Sequence, residues 1–357
     1  MRVLILGCGG FVGSHLAERL LASAAHEVVG LDRSPAKAAH LVGRERFEFV
    51  VGELPGAREL PELVSGSDVV VHLAAICNPS LYNTRPLEVI EANFVDALPV
   101  ARLCAEEGKR LVYFSTSEVY GKTLAAFGPA GPARPDHVLR EDDSPLILGP
   151  VRAQRWSYSC AKQLMERTIF ALGKERGLHF TIVRPFNFIG PRMDYIPGRD
   201  GEGVPRVFAC FMKALLSGEP PALVDGGKSR RTFVCVREAV ECCARIVERP
   251  EASRGAIFNV GNPANETTIA ELARLMCGLF EEKTGRRCPP PVEVDALSFY
   301  GEGYDDSDRR VPDISRAEAL LGWRPVLPLR ELVSRTMDWY IETYDSRNLD
   351  DGWARQA

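Results

Sequence analysis

The apolar residues of the N-terminal half fall into short runs separated by stretches of helical periodicity. Arg2–Leu6 is an apolar run of strand type, and a glycine-rich turn follows it. Leu16, Leu20 and Leu21 then form the stripe of a helix. Glu27–Leu31, Phe47–Val51, Asp68–Leu73 and Arg110–Ser115 repeat the strand signal. Strand follows helix from residue 2 to about residue 184, which predicts an α/β fold with a parallel, doubly wound sheet of Rossmann type. From Phe186 onward the pattern becomes irregular and predicts a smaller C-terminal α/β lobe. The expected division is 1–185, with return segments near 228–261, and 186–357. Ala256–Val260 is expected to rejoin the main sheet. Thr267–Phe280 reads as a helix capped by Thr267 or Thr268, with Leu272, Leu275, Met276 and Leu279 as its core stripe. Cys288–Pro291 breaks the chain, and Leu329–Tyr344 is a closing amphipathic helix. Asp345–Ala357 is polar and expected to fray.

The first turn carries chemistry. Gly7, Gly10 and Gly13 stand between strand and helix, and a second strand ends at Asp32. Gly7 permits a tight turn, Gly10 allows the backbone to approach a pyrophosphate, and Gly13 lets the helix pack against the sheet. The helix N-terminus offers free N–H groups to phosphate. A carboxylate at Asp32 is placed to grip the ribose hydroxyls and would repel a 2′-phosphate, which favours NAD over NADP. A glycine-rich turn in some other α/β protein is the plainer alternative.

Tyr158 and Lys162 lie four apart on a predicted helix and so share a face. An ammonium beside a phenol favours the phenolate and makes the tyrosine a usable base. The same spacing also occurs in any amphipathic helix with an exposed Tyr–Lys pair. Thr116 sits at the end of a strand, where open α/β sheets bind ligands, and can hydrogen-bond a substrate hydroxyl.

Bulk properties narrow the field. The chain has 357 residues and a net charge of −4, so no basic footprint points to nucleic acid. No apolar run approaches a membrane span. Met1-Arg2 leads straight into the first strand, so no secretory signal is expected and the location read is cytoplasmic. The ten cysteines are scattered without a CxxC pair and read as small hydrophobes in a reducing compartment. The six histidines show no paired spacing, and no metal site is expected.

The GxxGxxG spacing, the Ser115–Gly121 segment and the later YxxxK together resemble the extended short-chain dehydrogenase/reductase family. Most of its members act on nucleotide-activated sugars. The resemblance implies cofactor contacts at Gly7, Gly10, Phe11, Val12, Gly13, Asp32, Arg33, Glu53, Leu54, Leu73, Ala74, Ala75, Asn93, Tyr158, Lys162 and Pro185. Within the family, Thr116-Ser117-Glu118 resembles the UDP-glucuronate decarboxylases, including the UDP-xylose synthases. Dehydratases typically carry Asp where this chain has Ser117. Ser144–Pro150, Arg155–Tyr158, Arg184–Asn187, Gly190–Arg192, Asp225–Lys228 and Phe258–Pro263 resemble the decarboxylase domain of the aminoarabinose pathway.

That resemblance implies a catalytic set of Thr116, Ser117, Glu118, Tyr158, Lys162 and Arg310. It implies substrate contacts at Pro79, Tyr82, Asn187, Arg206, Arg231, Tyr304 and Arg310, with Arg206 on the diphosphate. Ala222 stands where the family has a lysine near the nucleotide, and the 122–143 loop is longer than expected. The implied reaction oxidises C4 of UDP-glucuronate with NAD, loses the C6 carboxylate as CO2, and gives a UDP-4-keto-pentose or UDP-xylose. A homodimer is implied as well. A C4-epimerase or dehydratase acting on another nucleotide sugar is the alternative within enzymes. A non-catalytic dinucleotide sensor is the alternative outside them.

Overall fold

A computed structural model of the chain describes residues 1–54, 56–123, 137–196, 204–296, 299, 305, 307 and 309–345. Fourteen strands are assigned among these residues. They are β1 (Arg2–Leu6), β2 (Glu27–Asp32), β3 (Phe47–Val51), β4 (Val69–His72), β5 (Arg110–Phe114), β6 (Val138–Leu139), β7 (Phe180–Pro185), β8 (Asn187–Ile189), β9 (Ala222–Val224), β10 (Arg230–Cys235), β11 (Ile257–Val260), β12 (Glu266–Thr268), β13 (Val292–Val294) and β14 (Arg309–Pro312). The longer helices are α1 (Phe11–Leu21), α2 (Ala97–Glu106), α3 (Ser157–Arg176), α4 (Val207–Ser217), α5 (Val236–Glu248), α6 (Ile269–Thr284) and α7 (Leu329–Tyr344).

Seven strands form one sheet in the order β11-β7-β5-β4-β1-β2-β3. Each neighbouring pair is parallel. The alternation of side chains explains why these strands read as unbroken apolar runs. Val3, Ile5, Val69, Val71 and Val112 point into one buried layer, packed under α1 and α5. Leu4, Leu6, Val70, Leu111 and Tyr113 point into the opposite layer, with residues of α2 and α3. The expected return of Ala256–Val260 appears as β11, paired with β7 from Ile257↔Ile182 to Val260↔Pro185.

A second sheet runs β12-β10-β14-β6, with β8 also on β10. It draws on both halves of the chain, because β6 precedes α3 and β14 follows α6. β9 and β13 form a separate parallel pair. The α6 helix is closed at its start by a Thr268–Glu271 capping box and at its end by Gly285 in the left-handed conformation. That turn brings Cys288 back against Cys277, and the two form a disulfide with their Cα atoms 5.5 Å apart. This corrects the reading of every cysteine as an isolated hydrophobe. A pairing made across a helix C-cap leaves no CxxC spacing to read. No helix among the described residues is long and apolar enough to cross a membrane.

One buried ion pair ties the sheet to α3. Arg184 Nε and Nη2 donate to Glu166 at 3.0 and 2.6 Å, and Arg184 Nη1 donates to the Glu141 carbonyl at 3.0 Å. Both side chains are buried. Removing one partner leaves a buried charge without its counterion. Glu166→Ala is therefore expected to cost about 3–5 kcal/mol of stability, measured as a lowered denaturation midpoint.

Candidate active site

The glycine turn joins β1 to α1. Gly7 adopts φ +89°, and a Cβ there would stand 2.7 Å from the Ala74 nitrogen, so the loop after β4 lies directly against the turn. A Cβ on Gly13 would stand 2.2 Å from the Gly7 carbonyl oxygen, which accounts for glycine at that position. On Gly10 it would meet only that carbonyl, at 3.3 Å, leaving the outer face of the turn open. No side chain caps α1, so the N–H groups of its first turn remain available to phosphate. Asp32 ends β2 and accepts from the Arg33 N–H at 2.7 Å. Burial pushes its carboxyl up, and backbone N–H groups of Arg33, Gly9 and Ser34 pull it back. Arg33 is exposed, with its Nη1 3.4 Å from Glu53 Oε1, and its charge also pulls the Asp32 carboxyl down. These residues fit a dinucleotide: an open phosphate turn, and a carboxylate one strand away.

Asn93, expected to contact the cofactor, is anchored inside the protein through its Nδ2. It lies in a π-helical turn, Glu91–Val95, and is fully buried. Its Nδ2 donates to the carbonyls of Val89 and Ile76, at 2.8 and 2.9 Å. It thus holds the loop after β4 in place. Leu73, Ala74 and Ala75 leave the carboxyl end of β4, and Pro185 ends β7.

Thr116, Tyr158 and Lys162 come together where β5 meets α3. Thr116 follows β5 and its Oγ1 accepts from the Glu118 N–H at 3.2 Å. Thr116 is also hydrogen-bonded to Tyr158. Tyr158 and Lys162 stand one turn apart on α3 and both are buried. Lys162 Nζ donates to the Phe114 carbonyl at 2.9 Å and sits 4.7 Å from the Tyr113 ring centre. Burial lowers its ammonium from 10.5 to about 8, against the pull of Cys77 and Glu166. Tyr158 is held well above the ordinary phenol range by burial, with Cys77 and Glu118 adding to the rise and the Thr116 hydrogen bond opposing it. The expected lowering of Tyr158 by Lys162 is therefore outweighed in the ligand-free protein, because desolvation penalises the phenolate.

Beside this group opens a cavity of about 740 Å3. Pro79, Glu118, Asn187, Arg206, Arg231 and Arg310 of the expected set line it. Glu118 Oε2 accepts from Arg155 Nη1 at 2.6 Å, and its Oε1 lies 3.8 Å from Arg310 Nη1. Arg206 donates to both oxygens of Asp194, with Nη2–Oδ1 at 2.7 Å and Nε–Oδ2 at 2.9 Å. Its guanidinium lies 5.6 Å from the Phe11 ring, beside the glycine turn. Asn187 Nδ2 donates to the Thr232 carbonyl at 2.9 Å.

Several placements differ from expectation. Tyr82 is not in the cavity wall. It stacks on Tyr158 with ring centres 4.9 Å apart. Ser117 is buried in the turn after Thr116. Tyr304 lies outside the described residues, as does most of the 122–143 loop. Arg155 went unassigned, yet its guanidinium lies between Glu118 and the Tyr82 ring, 5.0 Å from the ring centre. Its position three residues before Tyr158 was the available signal. Cys77 is exposed and lines the cavity, although its sequence surroundings suggested a core residue. Ala222 also lines it, where a lysine would have added a cation.

The model of the NAD dependent epimerase/dehydratase family matches residues 3–261. A UDP-D-apiose/UDP-D-xylose synthase of Oryza sativa subsp. japonica is 49% identical, over 96% of this chain and 90% of that protein. UDP-D-apiose/UDP-D-xylose synthase 1 of Arabidopsis thaliana is 49% identical, over 96% of this chain and 92% of that protein. Among solved structures, the PbgP3 protein of Burkholderia pseudomallei superposes with a TM-score of 0.83 at 34% identity, covering 97% of this chain and 98% of its own.

The buried lysine gives the site a pH signature. Its folded value, about 8, lies below the ordinary 10.5, so the folded state binds fewer protons between those limits. Its contribution therefore makes the ligand-free protein more stable as pH rises through that window. At pH 7, Lys162→Met is expected to relieve a burial cost of about 3 kcal/mol. That advantage over wild type should vanish by pH 10.5, as read from denaturation midpoints at each pH.

Proposed function

The chain belongs to the NAD dependent epimerase/dehydratase family, with NAD as its cofactor, and from that premise we propose that it oxidises and decarboxylates UDP-glucuronate. The observation that carries the reading is the Glu118 carboxylate held between Arg155 and Arg310 beside Tyr158 and Thr116. It supports the reading because two cations and one general acid–base group would suit the handling of a uronate carboxylate.

The chemistry follows from the arrangement. A hexuronate loses its carboxylate readily only when a ketone stands β to it. Tyr158 takes the proton of the C4 hydroxyl while Thr116 hydrogen-bonds the same oxygen. Bound NAD supplies the acceptor for the C4 hydride and a cationic ring that favours the phenolate. Gly10, Phe11, Val12 and Gly13 hold its pyrophosphate and Asp32 its ribose. Lys162 uses one N–H on Phe114 and has two others for the nicotinamide ribose. Arg206, Arg231 and Asn187 hold the nucleotide and sugar, with Arg206 already oriented by Asp194. Arg310 and Arg155 steady the carboxylate until the C5–C6 bond breaks. The electron pair of that bond then forms an enolate, and Thr116 and Tyr158 hydrogen-bond its oxygen at C4. Glu118 directs proton delivery to C5.

Return of the hydride to C4 gives UDP-xylose, whereas release of the reduced cofactor first gives the UDP-4-keto-pentose. The relatives' names add a second pentose product, apiose. A cytoplasmic location goes with this reading, since NAD and nucleotide sugars are both found there.

The surface of the catalytic helix supports self-association. Leu164 and Phe170 on α3, and Leu87, Ile90 and Val95 ahead of α2, are exposed apolar residues. A homodimer built on α2 and α3 would cover them.

Three experiments test these proposals. Protein incubated with UDP-glucuronate and NAD should release CO2, with product NMR separating ketopentose, xylose and apiose. Tyr158→Phe should lower kcat about 10²–10⁴-fold with little change in UDP-glucuronate affinity. Absence of CO2, together with turnover of UDP-glucose, would instead assign the site to an epimerase. By light scattering the wild type should have twice the monomer mass, and Leu164→Glu should halve it.

A further inference from the structure

Two neighbouring strands beside the cavity each carry a consecutive pair of arginines. β10 and β14 pair in parallel with Arg230↔Arg309 and Arg231↔Arg310. Successive side chains on a strand face opposite ways. Arg231 and Arg310 accordingly line the cavity. Arg230 and Arg309 turn to the other side and converge on Glu266. Arg309 Nε and Nη2 donate to its two oxygens at 2.5 and 2.7 Å, and Arg230 Nε lies 3.3 Å from Oε1.

The ladder between β10 and β14 consists of only those two residue pairs. Like charges directly opposite each other on adjacent strands are destabilising. A slip of one residue would carry Arg310 out of the cavity and Arg309 into it. Glu266 opposes both failures. It neutralises the outer pair, and its two-pronged grip on Arg309 holds β14 in register. Its own position is set by β12, which pairs antiparallel with β10 at Thr232↔Glu266. The β6 ladder, Val311↔Val138 and Pro312↔Leu139, holds only the far end of β14. The carboxyl of Glu266 is correspondingly held below its usual range by the Arg309 hydrogen bond.

We propose that Glu266 is a positioning residue. By clamping Arg309 and Arg230 on the outer face of the β10–β14 pair, it keeps Arg310 and Arg231 aimed at the anionic groups of the substrate. The identity of those groups rests on the reading of the cavity as a UDP-glucuronate site.

Glu266→Gln removes the charge and keeps the shape. It is expected to raise the KM for UDP-glucuronate and the Kd for UDP about tenfold, and to leave the NAD Kd within twofold. The double variant E266Q/R309Q breaks the same clamp and should lose no more than E266Q alone. Two residues acting independently would instead multiply their losses in the double variant. UDP binding within twofold of wild type in E266Q, or a loss in E266Q/R309Q equal to the product of the two single losses, would overturn the proposal. If E266Q does not fold, Arg309→Gln carries the test, with a rise in UDP Kd of at least threefold expected and no change refuting it. A wild type that binds UDP but releases no CO2 from UDP-glucuronate would refute the substrate, while the UDP arm still decides the role of Glu266.

Discussion

Burial of the Lys162 ammonium sets the terms for the active centre. An ionised amine shielded from water is costly, and here the compensation comes from the Phe114 carbonyl and the face of Tyr113. Both belong to β5, so one hydrogen bond ties the catalytic helix to the carboxyl end of a central strand. Tyr158 lies one helical turn from that anchor and Thr116 two residues beyond Phe114. The site is thus a consequence of how α3 packs on the parallel sheet. The sheet in turn depends on burial of both its faces by helices.

One electrostatic device recurs three times in and behind the cavity wall. Arg155 and Arg310 meet Glu118, Arg206 meets Asp194, and Arg309 with Arg230 meets Glu266. Each carboxylate holds a guanidinium in a chosen orientation before any ligand arrives. A bidentate fork fixes the plane of the group, which a flexible lysine would not do. Such preorganisation costs desolvation once, during folding, rather than at each encounter with substrate. It also moderates the positive charge of a wall that must bind an anion and then release it.

The tyrosine illustrates a competition between burial and charge. Lys162 was expected to make Tyr158 acidic, yet its ammonium is turned toward Phe114 and the phenol is shielded from water. Desolvation then dominates and the phenol stays protonated. In the proposed reaction the base form would draw on the further positive charge of a bound nicotinamide ring.

Apolar runs, the GxxGxxG turn, Asp32 and the Tyr158–Lys162 spacing were all legible in the sequence because each expresses a local rule. A two-residue alternation, a positive φ or one helical turn needs no knowledge of distant segments. The parallel sheet, the return of β11 and the helix Leu329–Tyr344 follow from such rules. What tertiary structure alone decided are the partners. Arg155 could not be matched to Glu118, nor Arg206 to Asp194, since such pairs join segments whose distance apart depends on packing. For the same reason Asn93 proved to be a buried brace, Tyr82 a stacking partner, Cys77 an exposed thiol and Cys277–Cys288 a disulfide. Sequence determined which residues could do the chemistry. Packing decided which of them face the cavity and which serve as counterions behind it, because burial and long-range charge pairing are properties of the folded whole.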